Sequence, residues 1–204
     1  MTAGYFPGAT GRRVLLGWLL AVSLAGCTSA RLDWFRPVPL AGPVRADVMA
    51  RVELRDVTVA RALDRPDILR LAGDTRLVPT GGQWAAAPGD LIAAVLRRNL
   101  ADRLPAATVT DAVSGIATGA IDGVGAPAVL VEVRIDRFEA DADGRAVLTA
   151  HFVLRHPHSP RPPAERSVEE TVSPAGPGPD ALVLALSRAL ARLADRIADA
   201  LTAS

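Results

Sequence analysis

The chain has no lysine. All 23 basic residues are arginine, against 22 acidic ones, and the formal net charge is +1. That balance leaves no basic excess to bind nucleic acid or an anionic surface. Cysteine occurs once, at Cys27, so a fold cannot lean on an internal disulfide and must rest on its apolar core. Histidine is scarce too. His156 and His158 flank Pro157 without a cysteine or acidic cluster nearby, which makes a poor zinc site, and His151 reads as structural. No metal and no cofactor are expected. The glycines between Gly119 and Gly125 match neither G-x-G-x-x-G nor the G-K-[ST] phosphate loop, and no serine sits in G-x-S-x-G. Glu169 with Glu170, and Asp141 with Asp143, read as solvated acids. No internal repeat is visible. Nothing recommends itself for acid–base or nucleophilic catalysis, and the chain is not read as an enzyme.

What is present begins at the N-terminus. Arg12 and Arg13 precede an apolar run from Val14 to Leu24, which ends in Leu24-Ala25-Gly26-Cys27. A positive start, a short apolar stretch and small residues before a boundary describe a secretory signal. The run is shorter than the ~20 apolar residues that span a bilayer core. Leu24, Ala25, Gly26 and Cys27 resemble the lipobox of bacterial lipoproteins. The resemblance implies a thioether lipid on the Cys27 sulfur, cleavage after Gly26, and acylation of the new amino group. The position calls for a thiol, the side chain nucleophilic enough near neutral pH. Thr28 stands where an aspartate would imply retention at the inner membrane, so the analogy implies the outer one. Removing residues 1–26 also removes two arginines and leaves the acids in slight excess.

The mature chain, ~180 residues, suits one domain with a full core. Three segments are expected: a signal over 1–26, a lipidated N-terminus and flexible tether over 27–46, and a periplasmic domain over 47–204. Pro37, Pro39 and Pro43 interrupt regular structure in the tether, whose extended reach is ~60 Å. Trp34 and Phe35 either dip into the lipid interface or pack on the domain.

In the domain, Val52 and Leu54 alternate with charges, then Val57 and Val59 take the opposite parity. That predicts a strand over 48–59 with a bulge near Asp56. A short hairpin is expected around Gly73-Asp74. Pro88 opens a helix whose stripe includes Leu91, Ile92, Val95, Leu96, Asn99 and Leu100. A brief strand at Val109 and a loop over 111–127 follow. Ala128 to Glu139 is the strongest strand, Asp143-Gly144 turns it, and 146–154 and 165–172 complete an antiparallel meander. The last helix is expected to be capped by Asp180, with Arg192–Asp195 and Arg196–Asp199 pairing along it. The fold class read from this is α+β: a two-layer sandwich, a mainly antiparallel sheet with two amphipathic helices on one face.

Leu63-Asp64-Arg65-Pro66, then Ile68 and Arg70, then Trp84 before an amphipathic helix, resemble the ABC-type transport auxiliary lipoproteins, the PqiC-like lipoproteins of proteobacteria. The resemblance covers about Val48 to Leu201. The chain departs from the family pattern at Ala62, where tyrosine is usual, and at Gln83-Trp84-Ala85-Ala86-Ala87-Pro88, where R-W-A-E-P is usual. The resemblance implies a non-catalytic, outer-membrane-anchored component of an intermembrane lipid transport system. Its implied partner is a periplasmic tunnel protein of the MCE type, met by a homo-oligomeric ring. The alternative is a stand-alone outer-membrane lipoprotein that supports the envelope or another assembly machine. Asp64, Arg65 and Pro66 are either a partner or subunit contact or a local turn. Trp84 is either a partner anchor or a core residue beside the helix. The lipobox makes a direct prediction: Cys27→Ala leaves a precursor that keeps residues 1–26 and carries no acyl mass, checked by intact-mass spectrometry of membrane fractions.

Overall fold

The computed structural model describes residues 33–111, 128–157 and 159–203. The expected lipobox, most of the expected loop over 111–127, and His158 lie outside them.

Among the described residues eight strands and two long helices form an α+β domain. The strands are β1 (Trp34–Phe35), β2 (Arg51–Val59), β3 (Asp67–Ala72), β4 (Arg76–Trp84), β5 (Thr108–Asp111), β6 (Ala128–Ala140), β7 (Ala146–Arg155) and β8 (Ala164–Val172). The helices are α1 (Pro88–Arg103) and α2 (Pro179–Thr202). The meander is present: β6, β7 and β8 pair antiparallel in sequence order.

The rest of the sheet is not what alternation alone predicts. β2 lies parallel between β5 and β6, β1 is parallel to β4, and β3 touches β6 in parallel at Arg70–Ala140. The sheet is therefore mixed, not mainly antiparallel. Alternation fixes which side chains point inward. It is blind to strand direction, which depends on how α1 returns the chain to β5 beside β2.

Bulges set the faces. The register of β2 against β6 shifts between Leu54 and Asp56, as the change of parity requires. A second shift, between Ile135 and Arg137 on β6, was not expected. It moves the inward positions from Val131, Val133 and Ile135 to Phe138 and Ala140, so the core stays continuous past the bulge. Both helices cover the same face. α1 packs on β2 and β5, α2 packs on β7 and β8, and the helices touch each other. Leu96, Leu100, Leu186, Leu190 and Ile197 lie fully buried between helices and sheet.

Local chemistry explains the ends. Pro88 opens α1 as its first helical residue, where its missing N–H costs nothing. Gly178, at φ 92°, is the N-cap of α2, and Asp180 lies in the first turn beyond Pro179. Asp180 is thus a favourable charge near the helix start, not the cap. Asp141 organises the β6–β7 turn, accepting from the backbone N–H groups of Asp143 and Arg145 and pairing with the Arg145 side chain.

The expected tether is corrected. From Asp33 onward the chain is fixed on the domain. β1 pairs with β4, the Phe35 ring lies where a Cβ at Gly82 would sit, and Pro37 is buried. The prolines stop this segment from forming a helix, but they do not keep it off the protein. Within the core, Trp84 is 4% exposed and stacks on Phe138, with ring centroids 5.7 Å apart. Trp84→Ala is expected to cost about 3–5 kcal/mol of stability, read as a lowered urea midpoint by circular dichroism.

Candidate functional site

Three features can carry function: a polar seam under the N-terminal segment over 33–46, here called the strap, the turn before β3, and the open face of the sheet.

The seam starts from one charge. Arg103 closes α1 on its apolar side, seven residues after Leu96 and four after Asn99, and is 1% exposed. A guanidinium buried there needs its donors satisfied. Its Nε donates to Asp195 of α2 at 2.7 Å. Its terminal nitrogens donate to the carbonyls of Leu40 at 3.0 Å, Asn99 at 3.0 Å and Ala191 at 3.1 Å. One side chain thus ties together the strap, α1 and α2. The strap adds its own bonds. Val38 N–H donates to Ser187 Oγ at 3.1 Å, Leu40 N–H to Asn99 Oδ1 at 2.8 Å, and Arg45 N–H to the Arg103 carbonyl at 2.7 Å. The Arg45 side chain reaches Asp199 and Asp195. Gly42 is required where the strap crosses, because a Cβ there would overlap the Arg103 guanidinium.

These contacts correct the expected charge pairs on α2. Asp195 and Asp199 pair with Arg103 and Arg45. Arg192 and Arg196 instead reach Glu170 of β8, at 3.4 and 3.3 Å. Glu170 is buried, not solvated. It shares its parity with Val168 and Val172, which puts it on the helix side of the sheet. Sequence reasoning missed Arg103. The available signal was a charge lying on the apolar stripe of its own helix.

The turn before β3 carries the residues that sequence singled out. Asp64, Arg65 and Pro66 are exposed, beside buried Leu63. Trp84 N–H donates to the Pro66 carbonyl at 2.6 Å, so the structure brings turn and tryptophan together. They differ in character. Trp84 points into the core, whereas the Asp64 and Arg65 side chains make no hydrogen bond or ion pair within the described residues.

On the open face, Ser167 Oγ lies 2.9 Å from His151 Nδ1, and His151 Nε2 lies 3.1 Å from Asp136 Oδ2. Hydroxyl, imidazole and carboxylate are in line across β8, β7 and β6. Asp136 also pairs with Arg134 at 2.9 Å. The surrounding depression is lined by strand residues that include Asp56, Glu132 and Glu165. Carboxylates there would repel a developing oxyanion, the reverse of what acyl transfer needs. The geometry is that of a cross-strand ladder. Among the described residues no group of three or more His, Cys, Asp or Glu converges to hold a metal ion, and no helix is long and apolar enough to cross a membrane.

Comparison with known proteins now bears on the chain. The sequence profile of the ABC-type transport auxiliary lipoprotein component matches residues 36–198. The chain belongs to that family. No curated protein matches it. A crystal structure of an uncharacterized protein superposes with TM-score 0.62 at 19% identity, covering 80% of this chain and 99% of its own. A Xanthomonas campestris protein of the DUF330 family gives TM-score 0.60 at 17% identity, covering 81% and 95%. The dodecameric PelC of Paraburkholderia phytofirmans gives TM-score 0.45 at 14% identity, covering 79% and 93%. The first two likenesses establish the fold. The family is one of membrane-associated lipoproteins that serve ABC-type transport as auxiliary components.

The seam is testable by itself. Asp195→Ala strands a buried guanidinium and is expected to cost about 3–5 kcal/mol, whereas Arg103→Met with Asp195→Leu costs distinctly less. Urea unfolding of the three proteins checks the order.

Proposed function

We propose that this protein is an outer-membrane-anchored, non-catalytic lipoprotein of an MCE/ABC-type intermembrane lipid transport system. It acts by docking and assembly with a periplasmic tunnel protein. The observation that carries the reading is the family match over 36–198, joined to a lipobox that ends at Cys27 just upstream. The only added group is the covalent lipid on Cys27, which places the domain at the periplasmic face of the outer membrane.

Two surfaces support docking. The turn at Asp64 and Arg65 has charged groups that the domain does not use, and such groups can pair with a partner. Among the described residues β8 pairs only with β7, so one edge of this nine-residue strand can receive a further strand. A homo-oligomeric ring is the assembly we expect around the end of the tunnel.

The test is affinity purification of the lipidated protein from gently crosslinked envelopes, read by mass spectrometry. The expected result is recovery of an MCE-type protein together with its permease or ATPase. Recovery of self-copies or unrelated outer-membrane proteins alone overturns the transport role and favours a stand-alone envelope lipoprotein.

A further inference from the structure

We infer that the strap side of the domain, bearing Trp34, Val38 and Val44, lies against the lipid surface, and that the open sheet face points away from it. This rests on lipidation at Cys27.

Chain length gives the first argument. From Asp33 the backbone is held: the Asp33 carbonyl accepts from Gln83 N–H at 3.1 Å, and the Phe35 carbonyl from Ala85 N–H at 2.8 Å. Six residue steps separate Cys27 from Asp33, and a fully extended chain covers them in at most about 20 Å. A lipid on Cys27 therefore keeps the start of the strap within that distance of the headgroups. A free tether over 27–46 would impose no such limit.

Exposed apolar side chains give the second. Among the described residues the large exposed hydrophobics are Trp34, Val38, Val44, Met49 and Leu184. Four of the five lie in the first seventeen described residues. The fifth, Leu184, is one turn before Ser187, whose hydroxyl accepts from Val38 N–H, so it belongs beside the strap. Trp34 is 61% exposed. An indole with an apolar body and a polar N–H suits the headgroup level of a bilayer. The opposite face carries the ladder of Glu132, Arg134, Asp136, His151 and Arg155, whose charges would lose hydration against lipid. The strap side has charges as well, Arg45 with Asp199 among them, but the exposed large hydrophobics among the described residues lie there and not on the ladder face.

The experiment uses the mature acylated protein in phosphatidylethanolamine–phosphatidylglycerol vesicles, after mass spectrometry of Cys27. Lipids brominated near the headgroup end of their chains should quench the tryptophan emission about two-fold, and Trp34→Phe should abolish that quenching, since Trp84 is buried. With the Cys27 sulfur in a thioether, a second cysteine takes a dye uniquely. A dye on Val44→Cys should be shielded from iodide and one on Arg134→Cys should not. Quenching no greater than in Trp34→Phe, or equal iodide access at both dyes, in a protein whose acylation is confirmed, overturns this orientation and leaves the lipoprotein reading intact. Absence of the acyl mass overturns both.

Discussion

A single buried guanidinium holds three parts of this molecule in register. Arg103 lies where both helices and the strap meet, and all three supply acceptors to it. Burying such a charge is unfavourable unless pairing and hydrogen bonds compensate. That condition propagates outward. Asp195 must face α1, Gly42 must be a glycine, and the strap must pass close enough for the Leu40 carbonyl to accept. Arginine suits this point in a way that lysine could not. Its planar fork reaches acceptors on three elements, whereas an ammonium is a compact charge with three donors on one nitrogen.

Much of the fold could be read from the sequence, for identifiable reasons. Where one face of an element is buried, periodicity records it. The stripe of α2, the parity change in β2 and the meander after Ala128 all appeared at their places. Strand direction left no trace in alternation, so the parallel placement of β2 between β5 and β6 did not emerge. The strap was the largest difference. Its prolines and lack of periodicity describe a segment without local structure, and locally that is true. Its order comes from partners far along the chain, such as Ser187 for Val38 and Asn99 for Leu40. Glu170 and Arg103 were hard to place for a related reason. Each is a charge on an inward-facing position, and its counter-charge belongs to another element.

The stretch that most resembles the family divides between two tasks. Trp84 and Leu63 supply core, and the Trp84 N–H fastens the turn through Pro66. Asp64 and Arg65, held by that rigid base, are presented to solvent. A recurring sequence signature need not mark contact at every position. Here part of it builds the platform and part stands on it. The open face follows a different logic. His151 and Ser167 meet because β7 and β8 place them opposite each other, and the depression beside them is lined by the carboxylates of Asp56, Glu132 and Glu165.

The bonds from the strap to α2 span 149 to 154 residues of sequence. Contacts that close loops this long come late, because their entropy cost precedes their reward. A polypeptide that emerges N-terminus first, from a ribosome or through a membrane pore, exposes its strap long before α2 exists to receive it. The strap's bonds to β4 and α1 can therefore form once residue 103 has emerged, whereas its bonds to α2 must wait for the last helix. The strap thus docks in two stages: first onto β4 and α1, about half-way through emergence, and then onto Ser187, Asp195 and Asp199 when the last helix arrives.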